Sequence, residues 1–205
     1  AINAGGSTLH SLFHLPFGAF IPENRFDTNQ EINTQLTTPN GLIKNLHMNA
    51  TKRALIEEVE LLIIDEVSML RADLLDAIDT VLKYIRRNRN VPFGGVQILF
   101  IGDLWQLPPV VKDEEWVLLK KYYAAIYFFN ALALKGNQPV YIELETIYRQ
   151  SDQGFIDILN HFRVNEVLPT DVELLNRQYK PNFNPIDNPG YIYLTTHNYK
   201  ADGIN

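Results

Sequence analysis

An α/β fold on a mostly parallel sheet, with helices on both faces, is what this sequence predicts, and three observations predict it. Leu61-Leu62-Ile63-Ile64 is an unbroken apolar run that ends on the adjacent acids Asp65 and Glu66. A buried parallel strand reads this way, with its C-terminal edge delivering two carboxylates. From about Ala72 to Arg89, the residues Leu74, Leu75, Ile78, Val81, Leu82 and Ile85 recur at helical spacing and form one apolar stripe. Val96 to Ile101 is a second apolar run, closed by Gly102-Asp103. Strand, helix, strand at this spacing is a right-handed βαβ unit.

The remaining elements follow in chain order. Gly5-Gly6 and then Ser7 to Phe13 read as a turn feeding a short helix capped by a hydroxyl residue. Phe17 to Gly41, rich in Pro, Asn and Thr, reads as an insertion or long loop with short hairpin strands. Lys52 to Glu60 is helical and leads into the first strand. On the long helix, Asp76, Asp79, Lys83, Arg86 and Arg87 lie mostly off the apolar stripe, and Asp79 precedes Lys83 by four in the favourable order. Pro92 and Gly94-Gly95 end it. A helical stretch is expected over 114–135 with an interruption near 128–130, a third strand over 139–144, helices over 152–163 and 170–179, and a final strand over 190–195. The Asn- and Pro-rich stretch 181–189 is a linker. A domain boundary fits either 145–150 or that linker.

Composition narrows the class. The chain has 205 residues, 46% hydrophobic and 20% charged, which suffices for a sizeable core. No apolar run reaches the roughly 18 residues that span a bilayer, so no membrane role is expected. With no cysteine, disulfides and thiolate metal sites are excluded, which suits a reducing, cytoplasmic setting. A net charge of −6 means that any nucleic-acid contact must come from a local basic or aromatic track. The chain opens at Ala1 without a methionine or leader and stops just after a helix-like start, and so reads as an excised piece.

The strand ends carry the chemistry. In open α/β sheets, ligands bind at the C-terminal edge of the strands. One acid of the Asp65-Glu66 pair can hold magnesium while the other polarises an attacking water. The plainer alternative is a core strand ending in two solvated acids. Gly102-Asp103-Leu104-Trp105-Gln106-Leu107-Pro108-Pro109 leaves the second strand beside that pair. Gln106 has a donor and an acceptor with which to report a terminal phosphate; the alternative is a strand exit with Trp105 packed in the core. Arg149, at a candidate domain junction, can neutralise charge in phosphoryl transfer or simply pair with Asp152. The basic cluster Lys83, Arg86, Arg87 and Arg89 reads best as a solvated face favouring the helix C-terminus. Aromatics such as Phe13, Phe17, Phe20 and Tyr122 can stack bases or fill a core.

Taken together and in order, these segments resemble a superfamily-one DNA helicase of the petite-integration-frequency (PIF-type) and RecD-like branch. Ala4 to Ser11 resembles its DNA-contacting motif Ia, Leu61 to Leu70 its Walker B segment, and Met69 to Arg87 the helix that marks the PIF-type branch. Gly102 to Val110 resembles motif III and Leu144 to Asp152 motif IV. Leu194 to Asn198, with Ile204-Asn205, resembles the opening of the second RecA-like domain.

The resemblance implies a RecA-like P-loop NTPase fold. Residues 1–148 would be the first RecA-like domain, with the insertion at 17–41 where the family has a small subdomain near the fork, and 149–205 the start of the second. It implies Mg2+ and ATP as cofactors, with Asp65 on the metal, Glu66 orienting water, Gln106 linking γ-phosphate to DNA and Arg149 stabilising charge. Thr8, His10 and Ser11 would line the strand track. His197 replaces the more usual threonine before Asn198, which weakens a DNA role there. The partners implied are single-stranded and forked DNA, engaged by a monomer. The Gly-x-x-x-x-Gly-Lys-Ser/Thr phosphate loop is missing from the 205 residues, and nucleotide affinity rests heavily on that loop. The expectation is therefore a helicase whose present piece hydrolyses ATP weakly or not at all. A P-loop ATPase acting on protein and a non-catalytic nucleic-acid-binding domain are the rival readings.

Overall fold

Thr8 opens the first helix of the computed structural model, which describes residues 5–24, 35–184, 190–192 and 194–203. Its Oγ1 accepts the Ser11 N–H at 3.1 Å, satisfying one of the orphan donors of α1 (Leu9–Phe13), as a hydroxyl cap does. Strands β1 (Ala19–Phe20) and β2 (Leu36–Thr37) follow. They pair in parallel, Ala19 with Leu36 and Phe20 with Thr37. The expected hairpin is thus corrected, because hairpin neighbours run antiparallel. The middle of the expected insertion, 25–34, lies outside the described residues. Thr38 and Asn49 cap α2 (Pro39–Lys44) and α3 (Ala50–Glu58) through their side chains.

The two apolar runs become β3 (Leu61–Ile64) and β4 (Gln97–Phe100), joined by α4 (Ala72–Ile85). They pair in parallel with Leu61 opposite Gln97 and Ile64 opposite Phe100. Leu75, Ile78, Val81, Leu82 and Ile85 on α4 are fully buried, as the stripe requires. The strands, however, are covered on one side. Leu62, Ile64, Ile98 and Phe100 belong to or pack on the core, whereas Ile63 is 53% and Leu99 43% exposed. Alternate residues of a strand face opposite sides, so among the described residues these largely apolar strands meet a partner on only one of their faces.

After β4 the sequence overpredicts regular structure. The helix expected over 114–135 is α5 (Asp113–Leu119) followed by 3₁₀ turns at Phe128–Asn130 and Leu132–Leu134. Tertiary bonds claim the backbone between: the Ala72 N–H donates to Ile126 O at 2.8 Å, and Arg71 bridges Tyr127 antiparallel. The strands expected over 139–144 and 190–195 do not form among the described residues. Both segments carry Tyr, Ile and Leu, but a strand exists through its ladder of hydrogen bonds, and propensity cannot substitute for a neighbouring edge.

The chain divides into two compact units, Ala1–Glu143 and Leu144–Asn205. The second contains α6 (Gln153–Arg163), α7 (Pro169–Asn176) and α8 (Asn198–Asp202). In it, His161 Nδ1 lies 2.9 Å from Asp171 Oδ2, tying α6 to α7. No helix among the described residues is long and apolar enough to cross a membrane.

Candidate nucleotide and nucleic-acid site

The parallel ladder brings the tips of β3 and β4 side by side. The Ile101 N–H donates to Ile64 O at 2.9 Å, and the Val67 N–H donates to Ile101 O at 3.0 Å, so the acidic pair sits between two rungs. Gly102 makes the approach possible. A Cβ there would stand 2.8 Å from Val67 N and 3.1 Å from Val67 Cγ1, too close for any side chain. Glu66 turns the chain in the left-handed region, φ 53° and ψ 44°, a conformation uncommon outside glycine and found preferentially at functional sites. Its N–H donates to Asp65 Oδ1 at 2.9 Å. Both carboxylates are exposed.

On the β4 side, Asp103 organises the exit. Its Oδ1 accepts the Trp105 N–H at 3.0 Å, its carbonyl accepts the Gln106 N–H at 3.0 Å, and its Oδ2 accepts Gln106 Nε2 at 3.4 Å. Trp105 is 71% exposed, which removes the alternative of a tryptophan packed in the core. The structure thus joins Asp65-Glu66 to Gly102-Asp103 and puts Gln106 on the turn that Asp103 closes.

The residues expected on a strand track have mixed duties. Thr8 and Ser11 are exposed. Thr8 serves as the cap, and the Ser11 carbonyl accepts Lys52 Nζ at 2.9 Å. His10 is half-buried and stacks on Phe17, with ring centroids 5.6 Å apart and planes 22° apart. Its imidazole pKa is lowered, first by burial and then by the positive charge of Arg71. In the second unit, Arg149 is exposed, while the neighbouring Asp152 accepts the Phe155 N–H at 3.1 Å and caps α6. His197 and Asn198 are exposed at the start of α8, and His197 Nδ1 shares a 2.8 Å hydrogen bond with Thr196 Oγ1.

What the sequence reading missed is a set of buried charges around α4. Asp76 and Asp79, read as lying mostly off the apolar stripe, are buried, and so is Asp73. Asp73 Oδ2 accepts the Phe20 N–H at 2.9 Å. Asp76 accepts the N–H groups of Leu132 and Ala133 and the Tyr123 hydroxyl, at 3.0, 2.8 and 2.8 Å. Asp79 accepts the Phe93 N–H at 2.6 Å and pairs with Lys83 at 2.8 Å. Buried Arg71 binds Asp73 through Nε and Nη2, at 2.9 and 2.7 Å, and Glu115 through Nη1 at 2.8 Å. Burial works against its charge, but the two carboxylates outweigh burial and keep it protonated. A signal existed: acids recurring every third residue lie along one strip of a helix, flanking the apolar stripe where loops return. The basic cluster is partly structural as well. Arg86 Nη1 donates to the carbonyls of Glu57 and Val59, at 2.6 and 2.8 Å, and so ends α3 with a cation.

The sequence profile of the PIF1-like helicase family matches residues 1–167. The chain belongs to the PIF1-like helicase family. Its relatives include the ATP-dependent DNA helicase PIF1 of Saccharomyces cerevisiae, 32% identical over 200 residues that make up 95% of this chain and 20% of that protein. A Bacteroides Pif1 helicase solved with ADP-AlF3 and single-stranded DNA is 38% identical, with a TM-score of 0.83 over 100% of this chain and 43% of the solved one. A second solved relative, described as two coordinating Pif1 helicases at forked double-stranded DNA, gives a TM-score of 0.81 at 38% identity and is covered to 44%. The RecA-like α/β fold of PIF1-type helicases is therefore the fold of this chain. This PIF1-like chain spans about a fifth of the curated relative and under half of the solved ones.

Proposed function

We propose that this chain is part of an ATP-dependent DNA helicase that moves 5′ to 3′ on single-stranded DNA and splits the duplex ahead of it, in DNA repair, recombination or replication. The observation that carries the reading is the side-by-side placement of two strand tips, one bearing exposed Asp65 and Glu66 and the other leading to Gln106. Its relatives support it, since they are ATP-dependent DNA helicases and one was solved with ADP-AlF3 and single-stranded DNA. On this reading, residues 1–148 belong to the first RecA-like domain and 149–205 open the second.

The roles follow from the chemistry of each group. Magnesium takes one or two carboxylates together with nucleotide phosphates rather than a full protein cage. Asp65 fits that demand: it is exposed at the strand tip, with Oδ1 oriented by the Glu66 N–H. Among the described residues, no group of three His, Cys, Asp or Glu side chains could hold a metal, and Asp65 is the carboxylate assigned to the ion. The ion would neutralise phosphate charge. Glu66, turned out by its left-handed backbone, is the base that orients water. Gln106, hinged on Asp103, senses the terminal phosphate, and Arg149 is assigned to charge stabilisation in phosphoryl transfer. Thr8, His10, Ser11, His197 and Asn198 are assigned to the nucleic-acid strand, and the working unit is a monomer.

In the intact helicase, Glu66→Gln should cut DNA-stimulated ATP turnover by roughly 100- to 10,000-fold and leave binding of a single-stranded oligonucleotide unchanged. Turnover close to wild type would remove Glu66 from the chemistry. The 205-residue chain alone, without a phosphate loop, should show little or no turnover, and a magnesium-dependent rate lost on Glu66→Gln would contradict that part. Sedimentation on a forked duplex distinguishes a monomer from a paired arrangement.

A further inference from the structure

At Phe17 and Gly18 lies a cavity of about 450 Å3, with Gln35, Arg71, Val110, Lys112 and Glu115 also in its lining. That volume falls within the range of small-ligand sites, roughly 300–1,000 Å3. Phe17 is 79% exposed, an unusual position for a large aromatic, yet its ring has a partner. One face of its ring lies on His10. The backbone behind it is fixed by Gly18, φ 99°, where a Cβ would fall 2.0 Å from Gln35 O. The Ala19 N–H donates to that same carbonyl at 3.0 Å. The ring therefore has a supported face, an open face and a rigid mount, all before any ligand arrives.

The charges around it are sorted. Arg71 is committed to Asp73 and Glu115, so its charge is fully taken up by two carboxylates and leaves no free cation on the floor of the cavity. Lys112 stands exposed on the rim. His10, shifted toward its neutral form by burial and by Arg71, offers a flat uncharged ring rather than a cation. An uncharged aromatic stack next to a single rim lysine suits a nucleobase with its phosphate: every base has a π-face, and stacking on aromatic side chains is tolerant of sequence. A bare anion would find little here.

We propose that Phe17, backed by His10, is a stacking platform for one base of the single strand, with the adjoining phosphate against Lys112. The proposal rests on the single-strand reading above and adds a residue and a contact to it. The ring works through its open face, and Lys112 contributes one unit of charge.

The test uses the intact helicase and a single-stranded oligonucleotide carrying 2-aminopurine, titrated over a series of salt concentrations. Wild type should quench the probe at one register. Phe17→Ala should abolish that quenching and weaken binding about 5- to 150-fold, the loss of one stacked base, with an unchanged salt slope. Phe17→Trp should keep both affinity and quenching. Lys112→Gln should keep the quenching and lower the salt slope by about one. The platform is refuted if Phe17→Ala binds and quenches like wild type, or if Phe17→Leu matches wild type, since leucine preserves apolar contact without a π-face. Wild type that binds no single strand would overturn the single-strand reading along with it. An unchanged melting temperature in Phe17→Ala shows that the effect is not unfolding.

Discussion

The aspartates of α4 and the acidic pair at the tip of β3 carry the same functional group in opposite surroundings. Asp73, Asp76 and Asp79 are buried, and each accepts backbone N–H from outside α4: Phe20 of β1 for Asp73, Leu132 and Ala133 for Asp76, and Phe93 for Asp79. Asp65 and Glu66 are exposed, and Asp65 accepts the backbone N–H of its own neighbour, Glu66. A buried acid is tolerable only when its oxygens are satisfied, and satisfied oxygens have little capacity left for a metal or water. Carboxylates that anchor backbone and the carboxylates we propose do chemistry can therefore be told apart by their donors, although all of them are acids in or beside one βαβ unit.

That separation makes predictions of graded size. The largest is Arg71→Leu, which strands Asp73 and Glu115 as buried charges and should cost about 3–5 kcal/mol of stability. Chemical denaturation reads it, and a loss under about 1 kcal/mol would mean the network is not closed. Next comes Gly102→Ala. The new Cβ, 2.8 Å from Val67 N, must push the strand tips apart, and displacing reacting groups by about 1 Å can cost on the order of 100-fold in rate. Steady-state ATP turnover of the intact protein checks it; full activity would detach Gly102 from the site. Asp79→Ala, which leaves the Phe93 N–H without its acceptor, should cost about 1–3 kcal/mol without altering turnover at temperatures below melting.

How far the sequence was legible follows the same division. The β3–α4–β4 unit was readable because its apolar spacing and its structure share one cause, burial of a stripe against a sheet. Glu66 and Gln106 could be located because strand ends are positions along the chain, set by where an apolar run stops. The segments 120–135, 139–144 and 190–195 misled because their residue types favour regular structure while their backbone partners are decided elsewhere in the fold. Asp76 was misjudged for a related reason: only the tertiary return of Leu132 and Ala133 turns an apparent surface acid into a buried loop anchor.

Titration offers a smaller test. Asp171 accepts the Leu168 N–H at 2.8 Å, and this bond, helped by His161 and opposed by desolvation, lowers its carboxyl below the ordinary value of 3.8. A lowered acid releases its proton more readily when folded. Its stabilising contribution is therefore complete above the ordinary value and is lost as pH falls through the lowered one. A carboxyl-carbon NMR titration of Asp171 should give a midpoint below 3.8, and a midpoint above it would deny the cap. Asp76 runs the other way. Burial, reinforced by Asp79, raises its carboxyl despite the N–H groups of Ala133 and Leu132 and the Tyr123 hydroxyl. Its contribution is complete below the ordinary value and declines as pH rises through the raised one.

The most direct measurement replaces one acid of each kind by its amide in the intact protein, Glu66→Gln and Asp76→Asn, and records melting temperature and ATP turnover for both. Glu66→Gln should keep its melting temperature and lose turnover, while Asp76→Asn should melt lower and still turn over when cool. If Asp76→Asn abolished turnover at full stability, or Glu66→Gln unfolded the protein and spared its activity, the division between anchoring and reacting carboxylates would be wrong.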